Sequence, residues 1–256
     1  MKPKYVDYAE YYDQAHDITV DIPFYVDYAK QSGGPVLELA CGTGRVLVPI
    51  AEEGIRIHGL DSSENMLKIA EKKIQEKKLN KIATISHDNM EEFDLPEKEY
   101  SMAFIAVRSF MHLFTQKDQI KCLECVHNHL RPDGLLLLDL YAPSFKHLAR
   151  EPSEDFRRTH EFQLPNGNRV VEKRRYIGVD LVNQLNTDEI TFMEYDGDKL
   201  IRSRTLPLIT RFTFRYELEL LLEKCGYKVE AIYRDYDKNP YDGTGEIITV
   251  ATKNTA

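Results

Sequence analysis

The 256-residue sequence predicts an α/β fold: a doubly wound, mostly parallel seven-stranded sheet with N-terminal helices and an inserted antiparallel β-sheet. Three observations predict it. Short apolar, β-prone runs alternate with segments of helical patterning from about residue 36 to residue 140. One such run leads into the tight turn Gly42-Thr43-Gly44, and the carboxylate of Asp61 ends the next strand about 20 residues on. After Leu140 the texture changes to alternating β-formers broken by turn signals.

Taken in order, Tyr5, Tyr8 and Tyr12 recur at helical spacing, and Phe24, Tyr25 and Tyr28 form a second patch before the breaker Gly33-Gly34-Pro35. Two helices are therefore expected as an N-terminal cap over residues 1–34. Strands are expected at Val36 to Ala40, Arg56 to Asp61, Ala83 to Asp88, Met102 to Val107 and Leu135 to Leu140. Arg45 to Glu53, Glu64 to Lys78 and Gln116 to Leu130 are helix-compatible segments between them. Such alternation means a parallel sheet covered on both faces. Residues 151–212 read as the antiparallel insertion, with turns at Pro165-Asn166-Gly167 and Asp196-Gly197-Asp198. A helix from Phe214 to Cys225, capped by Gly226, and strands at Tyr227 to Tyr236 and Glu246 to Thr252 complete the sheet. The whole chain, 1–256, is expected to form one domain.

Composition narrows the partners. A net charge of -8 leaves no excess of cations to neutralise phosphates, so no nucleic-acid partner is expected. No stretch approaches the roughly 20 apolar residues that span a bilayer, so no membrane partner is expected either. Met1-Lys2-Pro3-Lys4 leads into a polar, Tyr-rich segment rather than a signal core, and the expected location is cytoplasmic. The four cysteines, Cys41, Cys122, Cys125 and Cys225, do not form a disulfide framework for a chain of this size. A monomer and a homodimer are both compatible with the sequence.

The glycine turn is the most specific feature. Gly42 and Gly44 can take backbone angles closed to other residues and let the main chain approach a ligand closely. At the end of the next strand Asp61 can accept hydrogen bonds from both ribose hydroxyls. A dinucleotide site would want Gly or Ala at the place of Leu47, so that helix and strand pack tightly around a pyrophosphate. Glu38, under the turn, would repel a pyrophosphate and suits a cationic amino group or sulfonium.

Glu38-Leu39-Ala40-Cys41-Gly42-Thr43-Gly44 closely resembles the first motif of the class I S-adenosylmethionine-dependent methyltransferases, whose sheet is Rossmann-like. Gly59-Leu60-Asp61-Ser62-Ser63-Glu64-Asn65-Met66-Leu67 resembles the second motif, His87-Asp88-Asn89-Met90 the third, and Leu130-Arg131-Pro132-Asp133-Gly134 the loop before the fifth strand. Ala40 departs from the pattern, which often has Gly there.

The resemblance implies S-adenosyl-L-methionine as cofactor and a methyltransferase acting on an N or O nucleophile of a small molecule. It implies that Glu38, Ala40, Gly42, Thr43 and Gly44 surround the methionine moiety and that Asp61, with Ser62 and Met66 after it, holds the ribose. Asp88, Asn89 and Met90 would line the adenine, Val107 would close the cofactor site, and Tyr12 would fold over the cofactor. The inserted sheet would roof a substrate pocket that also contains Tyr11, Arg108, His112, Tyr141 and Tyr236. Methyl transfer is an in-line displacement, so alignment matters more than acid-base chemistry. His112 is the candidate base, since His titrates in the useful range.

Blander readings stand beside these. Asp61 could cap the following helix, Asp88 could be a turn residue, His112 could be structural, and Arg45 reads as a solvated first-turn side chain. Cys122, Cys125, His127 and His129 lie on one predicted helix whose faces diverge, so no metal site is expected. Asn239-Pro240-Tyr241 reads as a turn. Two alternatives to a methyltransferase are an NAD(P)-dependent Rossmann oxidoreductase and a non-catalytic S-adenosylmethionine-binding protein.

Overall fold

The computed structural model describes residues 9–156 and 158–254; Tyr5 and Tyr8, expected on the first helix, lie outside the described residues. In chain order the elements are α1 (Ala9–Ala15), α2 (Ile22–Ser32), β1 (Val36–Leu39), α3 (Leu47–Glu52), β2 (Ile57–Asp61), α4 (Glu64–Glu76), β3 (Ala83–His87), β4 (Tyr100–Ile105), α5 (Gln116–His129), β5 (Leu130–Tyr141) and α6 (Phe145–Leu148). Then follow β6 (Arg158–Gln163), β7 (Arg169–Asp180), β8 (Leu185–Asp196), β9 (Lys199–Arg211), α7 (Arg215–Lys224), β10 (Tyr227–Tyr233) and β11 (Glu246–Lys253). The chain divides into two compact units, one of residues 1–17 with 143–212, the other of residues 18–142 with 213–256. The expected cap over 1–34 is thus shared between two units, α1 in one and α2 in the other.

The larger unit holds a seven-stranded sheet in the order β10-β11-β5-β4-β1-β2-β3. β1 pairs in parallel with β2 and β4, and β2–β3 and β4–β5 are also parallel, whereas β11 runs antiparallel to both β5 and β10. The doubly wound sheet predicted from the alternating pattern is present. Every residue of β1 and β4 is buried, as strands covered on both faces require. One core contains buried residues of α5 and α7, and the other those of α2, α3 and α4. The chain leaves β1 toward β2 and β3 and returns to β4 on β1's other side. In open α/β sheets ligands bind at such a reversal, beyond the carboxyl ends of the strands.

Local signals explain the element ends. The Ser63 hydroxyl caps α4 by accepting from the Met66 backbone N–H at 3.4 Å, and Thr115 caps α5 by accepting from Asp118 N–H at 3.1 Å. Gly33 ends α2 in the left-handed region, φ 77°. The smaller unit is a four-stranded antiparallel sheet, β6-β7-β8-β9, together with α1 and α6. Its hairpins turn where Asn166-Gly167 and Gly197-Asp198 were expected to turn them.

Candidate functional site

The turn after β1 alternates left-handed residues: φ is 54° at Ala40, 54° at Gly42 and 75° at Gly44. Left-handed backbone costs a residue with a Cβ roughly 1–2 kcal/mol, which is the physical reason that Gly suits position 40. A Cβ on Gly42 would meet nothing within 4 Å, so this glycine exposes its backbone to open space. Gly59 on β2 serves a different purpose. A Cβ there would lie 2.4 Å from Leu47 Cδ1 and 2.8 Å from Cys41 Sγ. Leu47 fits against the strand because β2, rather than the helix, supplies the missing side chain.

Asp61 ends β2 beside this turn. One carboxylate oxygen accepts the Gly42 N–H at 2.9 Å and the other the Ser63 N–H at 2.7 Å. The cap of α4 is Ser63, so Asp61 does not spend its carboxylate on capping. Burial raises its pKa and the two N–H bonds oppose the rise. A carboxylate offers about four lone-pair sites, so two remain after these bonds. Ser62 is exposed and Met66 is buried in α4.

Glu38 is 3% exposed in the middle of β1. Its carboxylate takes a hydrogen bond from the Leu47 backbone N–H, while Oε2 has no partner. Burial drives its pKa well above the ordinary range, opposed by the nearby Arg45 guanidinium and reinforced by Asp21 and Asp61. Arg45 is not the solvated side chain expected. It forms a two-pronged ion pair with Asp21, at 2.8 and 2.5 Å, and donates to the Ile18 carbonyl at 2.9 Å. The pair ties the segment before α2 to the glycine turn, because both members are largely withdrawn from water.

The end of β3 lies beside Asp61: the Asp88 N–H donates to the Asp61 carbonyl at 3.1 Å. Asn89 closes a small turn, its side chain accepting from Glu91 N–H at 3.3 Å and its carbonyl from Glu92 N–H at 3.0 Å. Met90 packs against the core that contains α5. His129 anchors the next segment, Nε2 accepting the Leu95 N–H at 3.0 Å and Nδ1 donating to the Cys125 carbonyl at 2.7 Å. Those two bonds assign the proton to Nδ1 and make the ring neutral.

On β1's other side the chain leaves β4 through two successive left-handed residues, Val107 (φ 54°) and Arg108 (φ 62°). Neither is glycine, and Val is β-branched, so the corner is strained. Fully buried Asp139, on β5, accepts both backbone N–H groups, from Val107 at 3.1 Å and from Arg108 at 2.7 Å, and also the Tyr236 hydroxyl. The Arg108 guanidinium grips Glu246 at 3.2 and 2.5 Å and lies over the Tyr141 ring, 3.7 Å from its centre. His112 ends the short 3-10 turn, Ser109–His112, that follows the corner and is half-buried. From α2, Tyr25 stacks on Phe104 with ring centres 4.7 Å apart, and its buried hydroxyl has no hydrogen-bond partner.

Sequence reasoning missed Tyr25, Asp21 and the ion pair of Arg45, and it read Asp139 as a pocket lining without its hold on the Val107 and Arg108 backbone. Tyr11 was expected to line a substrate pocket. Tyr11 is buried in the smaller unit, donates to Glu194 at 2.8 Å, accepts from Arg202 at 3.1 Å and lies 5.3 Å from the Phe192 ring. Tyr12, in the same unit, stacks on His16. Cys122 sits in the core, His129 holds Leu95, and His127 meets Tyr227 edge-on at 5.4 Å, so the residues considered for a metal serve packing and loop anchoring. Asn239 closes its turn by donating to Asp235.

A parallel sheet whose strand order reverses at β1, a left-handed glycine turn and acidic side chains on β1 and β2 come together at one edge of this open α/β sheet. Residues 36–134 match the family described as methyltransferase domain. Over those residues the chain is similar to methyltransferases. It is 26% identical over 218 residues to YqeM of Bacillus subtilis, itself only provisionally named a methyltransferase, covering 83% of this chain and 81% of that one. It is 28% identical over 139 residues to the dTDP-3-amino-3,6-dideoxy-alpha-D-glucopyranose N,N-dimethyltransferase of Streptomyces fradiae, covering 51% of this chain and 52% of that one. The match spans about half of that relative. In fold, the chain is similar to the CcbJ methyltransferase of Streptomyces caelestis, with a TM-score of 0.82, 24% identity and 100% of both chains covered.

Proposed function

We propose that this enzyme methylates a nitrogen of an amine-bearing small molecule, with amino sugars as the first class to try. The observation that carries the cofactor half is the unpartnered, buried Oε2 of Glu38 beside the open Gly42 backbone and the Asp61 carboxylate. A buried carboxylate with an unpartnered oxygen suits a ligand ammonium. Glu38 would take the amino group of the methionine moiety. Ala40, Gly42, Thr43 and Gly44 would let the backbone approach it. Asp61 would use its two remaining lone-pair sites for the ribose hydroxyls, with Ser62 and Met66 alongside. Asp88, Asn89 and Met90 would border the adenine, and Val107 the methyl-bearing end. When bound, S-adenosylmethionine supplies an electrophilic methyl carbon whose leaving group is a neutral thioether. His112 would accept the proton that an amine loses, with Arg108, Tyr141 and Tyr236 lining the acceptor side.

The likeness to a sugar N,N-dimethyltransferase supports nitrogen over oxygen as the nucleophile. So does the acidic chain, with net charge -8, which favours a cationic or neutral guest over a polyanion. The test is release of S-adenosylhomocysteine by purified protein offered a panel of amino sugars, other small amines and hydroxyl compounds. The proposal expects turnover confined to amines, lost about 100-fold in His112→Ala if that ring takes the proton. Turnover only with hydroxyl compounds would overturn the nitrogen assignment.

A further inference from the structure

We propose that Asp139 is a positioning residue for methyl transfer: its carboxylate holds Val107 and Arg108 in their left-handed conformation and so fixes the corner from which the Ser109–His112 turn starts. The inference rests on the functional reading above, because it concerns where the acceptor side of that same crevice lies. Two successive non-glycine residues at positive φ persist only when their surroundings impose them. Here the imposing group is visible. Both N–H groups converge on one buried carboxylate, at 3.1 and 2.7 Å. A third donor, the Tyr236 hydroxyl, fixes the carboxylate from the segment after β10.

The corner is anchored a second time through its side chain. Arg108 is clamped by Glu246 on β11 and covered by Tyr141 at the end of β5. Asp139, Tyr141 and Glu246 all belong to adjacent strands of the rigid sheet, Asp139 opposite Ile248 and Tyr141 opposite Glu246. The corner is therefore set by β5 and β11 rather than by its own sequence. The charged and titratable groups that face Asp139 are Arg108 and Glu246 together with the tyrosines Tyr236 and Tyr25. Burial raises the pKa of Asp139, while the Tyr236 hydroxyl, the Arg108 N–H and the Arg108 charge hold it down. The carboxylate accepts the Val107 N–H and the Tyr236 hydroxyl on one oxygen and the Arg108 N–H on the other. Position 139 thus needs an acid that never enters the reaction.

Four proteins test this: wild type, Asp139→Asn, Tyr236→Phe, and Asp139→Asn combined with Val107→Gly. Each is assayed for S-adenosylhomocysteine affinity by calorimetry, for kcat and KM with the best acceptor, and for thermal unfolding. Asn presents an N–H group to donors, so Asp139→Asn is expected to lower kcat about 10- to 100-fold while nucleoside affinity changes less than about threefold. Glycine adopts positive φ without a steric penalty. Adding Val107→Gly should therefore restore at least about tenfold of the lost kcat, a recovery that a general packing role for Asp139 does not give. Tyr236→Phe removes one donor only and keeps the fold testable if Asp139→Asn unfolds; a fall in kcat of about threefold to tenfold is expected. Wild-type kcat in Tyr236→Phe, loss of nucleoside affinity in step with kcat in Asp139→Asn, or no recovery in the double variant would each overturn the proposal. Failure of wild type itself to bind the nucleoside would instead overturn the functional reading beneath it.

Discussion

Gly42 and Asp61 are joined by a 2.9 Å hydrogen bond from the glycine N–H to the carboxylate, so the turn after β1 and the end of β2 form one preset unit. The Cys41 N–H holds the same turn to β2 a second time, donating to the Leu60 carbonyl at 3.0 Å. The same carboxylate also fixes the start of α4 through Ser63. A group that organises two backbone segments and still keeps lone pairs for a ligand is preorganised.

Replacing Asp61 therefore affects binding and local order together. Asp61→Ala leaves two N–H donors unpaired and removes the proposed ribose acceptor. Two charge-assisted bonds at roughly 1.5–3 kcal/mol each predict at least about 100-fold weaker binding of S-adenosylhomocysteine. Titration calorimetry checks this, and binding within a factor of three of wild type would refute the ribose assignment.

Glu38 predicts a trade between stability and binding. Burial raises its folded pKa above the ordinary 4.5, so the folded chain holds the proton more tightly than the unfolded one. The group therefore costs nothing well below pH 4.5 and lowers stability as pH rises from there toward its raised value. Glu38→Gln should match wild type in stability at low pH and exceed it at neutral pH, by about 1.4 kcal/mol for every tenfold by which folding tightens the hold on that proton. The same variant should bind S-adenosylmethionine more weakly. Denaturant unfolding at a series of pH values, without nucleoside, measures the first effect.

His129 titrates with the opposite sign. Burial chiefly, with the Lys98 charge also contributing, holds its pKa below the usual 6.5, and its Nε2 must stay unprotonated to accept the Leu95 N–H. Its stabilising effect is full above pH 6.5 and is lost as pH falls below that value. Hydrogen exchange should show the Leu95 amide losing protection between neutral pH and about pH 5 after correction for intrinsic rates. Unchanged protection across that range would mean that the ring is not the anchor.

Gly59 makes a packing prediction independent of the chemistry. Gly59→Ala would place a methyl group 2.4 Å from Leu47 Cδ1 and should cost about 1–3 kcal/mol in urea unfolding. Adding Leu47→Ala should relieve the clash, so that the double variant is more stable than the sum of the two single effects predicts. Strict additivity would place the strain elsewhere.

The sheet was legible because its signals are local. Buried parallel strands read as apolar runs. The spacing of Gly42 and Asp61 pointed to a turn beside the next strand's end, and the structure joins the two by a hydrogen bond. What escaped depends on distant pairing. Arg45 meets Asp21 from 24 residues away, and Tyr11 meets Glu194 from 183 residues away. No periodicity in either segment encodes such a partner. The left-handed residues Val107 and Arg108 were silent for a related reason, since the usual flag for positive φ is glycine and here Asp139 on a neighbouring strand holds them. The division between α1 and α2 falls in residues 16–21, His-Asp-Ile-Thr-Val-Asp, which has no glycine or proline to mark a boundary.

The central claim is that the crevice formed by the ends of β1, β2 and β4 holds the methyl donor. A crystal structure of the protein grown with S-adenosylhomocysteine tests it most directly. The nucleoside should lie against Gly42, with its ribose hydroxyls on Asp61, its ammonium at Glu38 and its adenine beside Asp88, Asn89 and Met90. A nucleoside bound anywhere else, or one in this crevice with its ribose turned away from Asp61, would contradict the claim.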